Sequence, residues 1–350
     1  MKHILTAAVA VLGMAAGAQA ATLAERYSSF WAIGDSLTDD GNMSRAVYAL
    51  AVGPRSNTQH INAYYQDTSN FWSYEGRFTN GKTWAEHVAA GFAAEGLVTG
   101  NFAYGGARAT PDGIADFIDP APEIQWQRDQ VIGRKASFGA TPLVSILAGA
   151  NDIFDTIGST GLLSTAKAAA IAVADAARAL VPNGVQDFLI GRLPDIGKTP
   201  AYTLVEPNRQ ADATAASAAF NAQIDLEIAA LRAQGLRVQT LDLWQIMGDI
   251  IGNPASIGLS NVTKPCYYPT TALATSQGDT RMCSVAESKT RLFFDSVHPN
   301  YVAHADVGAR VLAALKADAP QPAPVPLPAG APLLLGGIAL FALVRRRAQG

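Results

Sequence analysis

A serine near the start of the chain lies where a nucleophile can be held rigidly. Ser36 belongs to the segment Gly34 to Leu37, Gly-Asp-Ser-Leu, which directly follows the apolar run Ser29 to Ile33. On a glycine turn at the end of a strand, a serine can point its hydroxyl out of the sheet. That hydroxyl needs a base, and the base needs a group that orients it. A Gly-Asp-Ser turn is also a common exit from a strand, so the prediction depends on finding those partners.

The histidine that is best placed to act as this base is His298. It lies in the segment Phe-Asp-Ser-Val-His-Pro, with Asp295 three residues earlier. Asp295 is expected to bond one imidazole nitrogen from the same turn, which leaves the other nitrogen to accept the Ser36 proton. The other histidines lie in an N-terminal segment, a polar loop and two helical patterns: His3, His60, His87 and His304. The sequence therefore predicts nucleophilic catalysis by Ser36, His298 and Asp295.

Two segments between these residues offer hydrogen-bond donors for an oxyanion. Asn101 to Ala107 ends a short apolar run in two adjacent glycines, Gly105 and Gly106, whose bare amides can approach a substrate. Gly149 to Asp152 offers the side-chain amide of Asn151. Glycine turns after strands are routine, so each segment alone indicates little.

In their order along the chain, these segments resemble the GDSL family of lipases and esterases, also called SGNH hydrolases. The family has four blocks, which match the segments around Ser36, Gly106, Asn151 and His298. The resemblance implies three catalytic residues: Ser36 as nucleophile, Asp295 as orienting acid and His298 as base. It implies three oxyanion donors: the N–H groups of Ser36 and Gly106 and the side chain of Asn151. A shift of one residue would make Gly105 the glycine donor instead.

The resemblance extends from Phe30 to Leu315 and also implies a fold. Segments similar to family landmarks occur at three further places: Gly76 to Trp84, Leu193 to Pro200 and Phe220-Asn221. The G-x-S-x-G motif of common α/β-hydrolases is not present around Ser36. The order Ser, Asp, His, with the last two only three residues apart, is the GDSL arrangement. It implies an α/β protein, a flavodoxin-like three-layer α/β/α sandwich with a central parallel sheet.

The apolar pattern of the chain independently predicts alternating strands and helices. Further strands are predicted over Leu143 to Leu147, Asp187 to Ile190 and Arg237 to Leu241. Helices are predicted over Thr165 to Leu180, Asp212 to Ala233 and Ala303 to Leu315. Such alternation indicates βαβ units and a parallel sheet covered on both faces. Residues 42–80 and 252–290 break the alternation and are predicted to extend over the edge of the sheet where ligands bind.

The two ends of the chain have the features of export and sorting signals. Residues 1–20 combine a polar start, an apolar run and a final Ala-Gln-Ala, which is typical of a secretory signal peptide. Residues 319–328 form a proline-rich tether, and residues 329–350 contain a short apolar segment followed by three arginines. This end resembles a V-P-L-P-A sorting signal, a relative of the PEP-CTERM signals, with a simple membrane helix as the alternative.

These signals predict where the folded part is located and which proteins process it. The hydrolase domain is expected over residues 21–318, beyond the cytoplasmic membrane. Its location is then the cell surface, the periplasm or the medium, with or without transient anchoring by the C-terminal segment. A signal peptidase and an exosortase-like sorting protease are the expected processing partners.

Composition and cysteine content agree with an exported globular protein. Hydrophobic residues make up 49% of the chain and charged residues 16%, which permits a large core. The net charge of −3 lacks the basic excess of a nucleic-acid binder, so no such partner is expected. Cys266 and Cys283 are predicted to form a disulfide, with two free thiols as the alternative. Neither cysteine has the spacing of a zinc site, and no metal or organic cofactor is expected.

The expected substrate is a carboxylic ester, because the resemblance implies action on lipids, short acyl esters or acetylated sugars. Five aromatic residues are interpreted as an acyl groove, a sugar platform or ordinary packing: Tyr64, Tyr65, Phe71, Trp72 and Tyr74. Three alternatives remain open at this point. They are an esterase of acetylated carbohydrate, a hydrolase of amides or thioesters, and a non-catalytic cell-surface or matrix protein that uses the same scaffold for binding.

Overall fold

The structure, a computed structural model, describes residues 22–46, 76–111, 122–268 and 270–318. The predicted signal peptide (1–20), tether (319–328) and sorting signal (329–350) lie outside the described residues. So does the aromatic-rich segment from Tyr64 to Tyr74. In the described ranges, no helix is both long and apolar enough to cross a membrane.

A parallel sheet of five strands forms the centre of the fold, in the order β2-β1-β3-β4-β5. The strands are β1 (Ser29–Gly34), β2 (Val98–Asn101), β3 (Pro142–Leu147), β4 (Asp187–Arg192) and β5 (Arg237–Asp242). This is the flavodoxin-like strand order, and helices flank the sheet. The predicted three-layer α/β/α fold is therefore confirmed. Four of the strands lie where the apolar runs predict them, and β2 was not predicted as a strand.

Nine labelled helices accompany the strands in the described ranges. They are α1 (Trp84–Ala94), α2 (Ile124–Ile132), α3 (Ala150–Thr156), α4 (Leu162–Leu180), α5 (Gln210–Ala233), α6 (Leu243–Gly252), α7 (Thr271–Ser276), α8 (Val285–Ser288) and α9 (Tyr301–Ala317). Residues 42–46 are helical as well, up to the limit of the first described range. Helices α4, α5 and α9 correspond to the three predicted helices.

Small residues let the two longest helices pack closely against each other. The buried positions of α4 are mostly alanine: Ala166, Ala169, Ala170, Ala174, Ala176 and Ala177. The buried start of α5 is also small, with Ala213, Ala216 and Ser217. A second pair, α1 and α9, packs together elsewhere on the sheet. Strands β1 and β3 are buried along their whole length, as expected of parallel strands covered on both faces.

The position of β1 in the sheet determines where a ligand site is expected. β1 pairs with β2 on one side and with β3 on the other, so the chain reverses its direction of winding between β1 and β3. In open parallel sheets, ligands bind outside the carboxyl ends of the strands at such a switch point. Ser36 follows β1 and Asn151 follows β3. The fold therefore brings both predicted site segments to the expected place.

A second, smaller sheet lies within the predicted excursion at residues 252–290 and just beyond it. It pairs β6 (Asn261–Pro265) with β7 (Arg291–Phe293) in parallel. Strand β7 is fully buried and leads directly to Asp295. The small sheet therefore supports the segment that carries the predicted base.

Candidate active site

Ser36, His298 and Asp295 form one continuous hydrogen-bonded chain. The Ser36 Oγ lies 2.7 Å from His298 Nε2, and His298 Nδ1 lies 2.7 Å from Asp295 Oδ2. With Nδ1 donating its proton to the carboxylate, Nε2 is the unprotonated nitrogen that can accept the serine proton. The structure thus brings together the three residues that the sequence proposes. Geometrically, the arrangement can activate a serine hydroxyl for attack.

The aspartate–histidine turn (residues 295–298) is closed by its own backbone. Asp295 Oδ1 accepts the N–H groups of Val297 at 2.9 Å and His298 at 2.7 Å. The Phe294 N–H donates to the His298 carbonyl at 2.8 Å, which closes the turn at its base. One carboxyl oxygen is therefore used to shape the turn, while the other orients the imidazole.

A disulfide lies directly behind this turn. The structure joins Cys266 to Cys283, the pair that the sequence proposes. The Tyr267 N–H, next to the disulfide, donates to the Phe294 carbonyl at 2.8 Å, one residue before the aspartate–histidine turn. The cross-linked segment therefore supports the backbone that carries the predicted base.

The backbone that carries Ser36 is anchored by a buried glutamine of helix α2. The Gly34 N–H donates to Gln127 Oε1 at 2.7 Å, and Gln127 Nε2 donates back to the Gly34 carbonyl at 2.9 Å. A Cβ atom at Gly34 would collide with the carbonyl oxygen of Leu147 in β3. Only glycine therefore permits this close approach, and the turn that presents Ser36 is fixed from both sides.

The structure distinguishes Gly106 from Gly105 as an oxyanion donor. The Gly105 N–H donates to Asp39 Oδ2 at 2.7 Å, so this amide is already engaged. The Gly106 N–H makes no hydrogen bond to the described residues, and neither does the Ser36 N–H. Gly106 is exposed and has a φ of +82°, a conformation that favours glycine. The free amide is that of Gly106, the residue preferred from the sequence.

Asn151 is oriented by the loop that contains Gly106. One hydrogen of its Nδ2 group is donated to the Ala107 carbonyl at 2.8 Å, which leaves the second available. Gly149 precedes helix α3 with a φ of +116°, and a Cβ atom there would collide with the Phe220 ring. A left-handed glycine therefore turns the chain sharply from β3 into the helix that carries Asn151.

Asp39 is a site residue that the sequence reasoning missed. This buried carboxylate accepts four backbone N–H groups, from Gly41, Asn42, Met43 and Gly105. The first three lie at the start of the helical segment at 42–46 or directly before it, and the fourth belongs to the glycine loop. Asp39 therefore ties the segment after the nucleophile to the loop that presents the Gly106 amide. The signal was available, because an aspartate just before a helical start is a typical N-terminal cap.

A second buried carboxyl lies immediately before the nucleophile. Asp35 is 1% exposed, and its Oδ1 accepts the Leu37 N–H at 3.0 Å. Its Oδ2 is buried and has no hydrogen-bond partner. Burial raises the pKa of Asp35 to about 7 and that of Asp39 to about 6. Perturbed carboxyls of this kind cluster at functional sites.

Phe78 forms one wall of the site against the predicted base. Its ring centroid lies 5.3 Å from that of the His298 imidazole, with the planes tilted by 39°. On its other side the ring meets Gly105, where an added Cβ atom would collide with it. The segment Gly76 to Trp84, which the resemblance singles out, therefore contributes a packing residue to the site.

A mainly apolar cavity of about 150 Å³ lies beside the segments that carry Ser36 and His298, although neither side chain lines it. Leu37, Val297 and Pro299 contribute to its wall, and these residues are sequence neighbours of Ser36 and His298. Much of the remaining wall is apolar, with Leu243, Met247, Ile251, Phe293 and Val307. The site thus combines a serine–histidine–aspartate chain with a recess suited to an apolar group. Within the described part of the chain, no group of three or more His, Cys, Asp or Glu residues is arranged to hold a metal ion.

Comparison with known proteins identifies several similar chains. Over 335 residues the chain is 26% identical to phosphatidylcholine-sterol acyltransferase of Aeromonas hydrophila, covering 85% of this chain and 93% of that one. Among solved structures, it is similar to LAE5, an alpha/beta hydrolase from the metagenome of Lake Arreo, Spain. That likeness has 16% identity and a TM-score of 0.44, and covers 83% of this chain and 96% of that one.

Another similar structure is Axe2, an acetylxylan esterase from Geobacillus stearothermophilus. It shares 13% identity with a TM-score of 0.41, and the match covers 82% of this chain and 94% of that one. The family model described as GDSL-like Lipase/Acylhydrolase matches residues 31–311, most of the chain and all of the site residues described above. The chain therefore belongs to the GDSL-like lipase/acylhydrolase family.

Proposed function

We propose that this protein is an exported serine hydrolase that cleaves carboxylic esters through an acyl-enzyme on Ser36. The observation that carries the proposal is the hydrogen-bonded chain from Ser36 Oγ through His298 to Asp295, with 2.7 Å at each link. Membership of the family supports an ester-cleaving hydrolase. The complete set of catalytic residue types weighs against a scaffold used only for binding.

In the acylation half-reaction, Ser36 Oγ attacks the ester carbonyl carbon while its proton passes to His298 Nε2. Asp295 stabilises the imidazolium through the hydrogen bond at Nδ1. The carbonyl oxygen becomes an oxyanion that accepts hydrogen bonds from the N–H groups of Ser36 and Gly106 and from the free amide hydrogen of Asn151. Each such donor contributes about 3 to 4 kcal/mol to the transition state. The oxyanion intermediate collapses, and the alcohol leaves with the proton from His298.

Deacylation uses the same groups with water as nucleophile. His298 Nε2 takes a proton from water as the oxygen attacks the acyl carbon, and a second oxyanion forms in the same position. When this intermediate collapses, His298 returns the proton to Ser36 Oγ and the carboxylic acid departs. Every step balances with the triad, the three donors and water alone.

The acyl group of the ester is proposed to enter the apolar cavity beside Leu37 and Val297. A cavity of about 150 Å³ accommodates a benzene-sized group, or about six carbon atoms. This supports a short to medium acyl chain over acetyl, which fills little of the space. The chain-length series in the experiment below tests this point, since activity that peaks at acetyl would contradict it.

Acyl transfer to an alcohol is a second candidate activity. Its specific support is the 26% identity to the Aeromonas hydrophila enzyme, which is named an acyltransferase. The chemistry differs only in deacylation, where an alcohol replaces water beside His298. Adding a soluble alcohol acceptor to the hydrolysis assay and quantifying the new ester by mass spectrometry separates the two activities.

Export is part of the proposal and is supported by the disulfide. Disulfides persist in oxidising compartments outside the cytoplasm, and the Cys266–Cys283 bond fits such a location. The mass of the protein recovered from its native host tests both processing steps. Cleavage near residue 21 and near the segment 325–329 is expected, and an intact chain in the cytoplasmic fraction would refute export.

The decisive experiment compares wild-type protein with Ser36→Ala on p-nitrophenyl esters from acetyl to palmitoyl and on acetylated polysaccharide. Ser164→Ala, at the exposed start of helix α4, is the matched control and should retain full activity. We expect Ser36→Ala to lose turnover and to lose covalent labelling by a fluorophosphonate. Undiminished turnover in Ser36→Ala would eliminate the assignment, and a wild-type protein that neither turns over esters nor takes the label would favour the binding scaffold.

A further inference from the structure

The buried carboxylate of Asp152 binds one end of the glycine loop (residues 102–111). Its Oδ2 accepts the Ala109 N–H at 2.8 Å, and its Oδ1 accepts the Thr110 N–H at 2.9 Å. The Thr110 hydroxyl donates to the same Oδ1. Asp152 is 2% exposed, so little water competes for these hydrogen bonds. The carboxylate therefore fixes the backbone at this end of the loop.

Two further side chains of helix α3 bind the neighbouring part of the loop. Asn151 Nδ2 donates to the Ala107 carbonyl at 2.8 Å, and the Arg108 guanidinium donates to the Asp155 carboxylate. Asn151 and Asp155 are four positions apart, so they lie on the same face of the helix. The helix that carries one proposed oxyanion donor is thus bonded directly to the loop that carries another.

The glycine loop is also held on the other side of Gly106. There the Asp39 carboxylate accepts the Gly105 N–H at 2.7 Å. The Gly106 N–H makes no hydrogen bond to the described residues, yet buried carboxylates bind the backbone both before and after it. Donors that are oriented before the reaction stabilise an oxyanion without a cost of reorganisation. The two carboxylates supply this orientation for Gly106.

We propose that Asp152 is a positioning residue, which holds the Gly106 amide and the Asn151 side chain in place for the oxyanion without contacting the substrate. This inference rests on the proposed function and adds a residue that acts through the oxyanion donors. Asp152 follows Asn151 directly and binds the loop just beyond Gly106, so loss of its carboxylate displaces both donors. A displacement of about 1 Å in such a group costs on the order of a hundredfold in rate.

A purely structural role is the alternative, because an acidic residue in the first turn of α3 stabilises the helix whatever the loop does. Asp152→Asn tests the two roles, since the amide keeps one acceptor oxygen but turns an NH₂ group toward a loop N–H. The matched control is Asp187→Asn. Asp187 is also 2% exposed and forms ion pairs with Arg26 and Arg237, but it begins β4 at the edge of the sheet opposite to the site.

Steady-state kinetics on a p-nitrophenyl ester distinguishes positioning from stability. We expect Asp152→Asn to lower kcat by about ten- to a hundredfold with KM within about threefold of wild type, because the oxyanion donors act in the transition state. Asp187→Asn should lower the urea midpoint but keep kcat within about twofold. Wild-type kcat in Asp152→Asn, or an equal loss of kcat in the control, would overturn the proposal.

A transition-state analogue adds a second measurement. Ser36 Oγ adds to the carbonyl carbon of an alkyl trifluoromethyl ketone while its proton passes to His298, and the ketone oxygen then takes the place of the oxyanion. Asp152→Asn should weaken this inhibitor by about the same factor as it lowers kcat. An unchanged inhibition constant would show that the oxyanion donors are undisturbed and would overturn the proposal.

Hydrogen exchange measures the loop itself and needs no substrate. The amides of Ala109 and Thr110 should exchange about tenfold faster or more in Asp152→Asn, while that of Phe102, which donates to the Ala32 carbonyl, should keep its rate. Unchanged exchange at Ala109 and Thr110 would overturn the proposal. If Asp152→Asn does not fold, Thr110→Val takes its place, because it removes only the hydroxyl bond. Its kcat should fall by about threefold or more, and an unchanged kcat would overturn the proposal.

The failure of this inference differs from the failure of the proposed function. If the wild-type protein cleaves esters and Asp152→Asn cleaves them equally well, the hydrolase stands and only the positioning role is refuted. If the wild-type protein cleaves no ester and takes no fluorophosphonate label, the proposed function fails, and the role of Asp152 fails with it whatever the exchange shows.

Discussion

Burial of the Asp35 carboxyl predicts a specific pH dependence of stability. This residue is 1% exposed, its Oδ2 has no hydrogen-bond partner, and burial raises its pKa from 3.8 to about 7. Between these two values the folded protein holds a proton that the unfolded chain releases. The free energy of unfolding must therefore decrease as the pH rises from about 4 to about 7. The stabilisation is fully present below pH 3.8 and is lost as the pH passes the folded-state pKa.

The magnitude follows from the two pKa values. A change from 3.8 to about 7 corresponds to about 4 kcal/mol, at about 1.4 kcal/mol for each pH unit. Asp35→Asn removes this titration while keeping the shape of the side chain. The buried amide carries a penalty of its own, but that penalty is the same at every pH. The difference in unfolding free energy between variant and wild type should therefore shift by about 4 kcal/mol in favour of the variant between pH 4 and pH 8.

Urea unfolding followed by circular dichroism at pH 4, 5, 6, 7 and 8 measures this shift. The matched control is Asp40→Asn, because the Asp40 side chain is 28% exposed and forms an ion pair with Arg45. Asp39 is not used as the control, because its replacement would disturb the glycine loop. Its desolvation is far smaller, and the shift relative to wild type should be below about 1 kcal/mol. If Asp35→Asn and wild type show parallel pH dependences, the burial argument is refuted.

Three further changes test the site and its support. Asp39→Asn loses the ability to accept all four N–H groups, among them that of Gly105, which positions the glycine loop. We therefore expect kcat to fall by about ten- to a hundredfold with a smaller change in KM. An unchanged kcat in steady-state kinetics would contradict this. Asn151→Ala removes one proposed oxyanion donor and should lower kcat by about 100- to 1,000-fold, measured on the same ester, whereas a change confined to KM would argue for a binding role. Replacing Cys266 and Cys283 together by serine should lower the free energy of unfolding by about 3 kcal/mol, because the disulfide closes a loop with a sequence separation of 17. An unchanged urea midpoint would show that the disulfide does not stabilise the fold.

The parts of the site that the sequence predicts are those encoded locally. The aspartate–histidine turn is complete within four residues, because Asp295 bonds both the backbone and the ring of His298. Strands β1, β3 and β4 are buried almost throughout, so they appear in the sequence as continuous apolar runs. Strand β2 escapes this pattern, because its four residues lie at the edge of the sheet and none is buried.

The parts that the sequence did not predict depend on contacts between distant segments. Asp39, 66 positions earlier in the chain, accepts the Gly105 N–H and so leaves Gly106 as the glycine whose amide is available. The Trp84 N–H and the His304 ring nitrogen that accepts it are separated by 220 positions and meet only because α1 packs against α9. Neither a motif nor a periodicity contains such information, since nothing in either segment specifies its partner.

The two buried carboxyls near Ser36 differ in a way that their hydrogen bonds explain. Both are fully desolvated, which disfavours the charged form, but Asp39 accepts four backbone N–H groups whereas the Asp35 side chain accepts one, from Leu37. Donors stabilise the ionised form, so the pKa of Asp39 rises only to about 6 while that of Asp35 rises to about 7. Near neutral pH, Asp39 is therefore mostly charged and can hold the glycine loop, while Asp35, next to Ser36 in the chain, has a pKa of about 7. The same short segment thus supplies a fixed anchor for the oxyanion loop and a titrating group next to Ser36, and only the anchor is expected to act independently of pH above about 7.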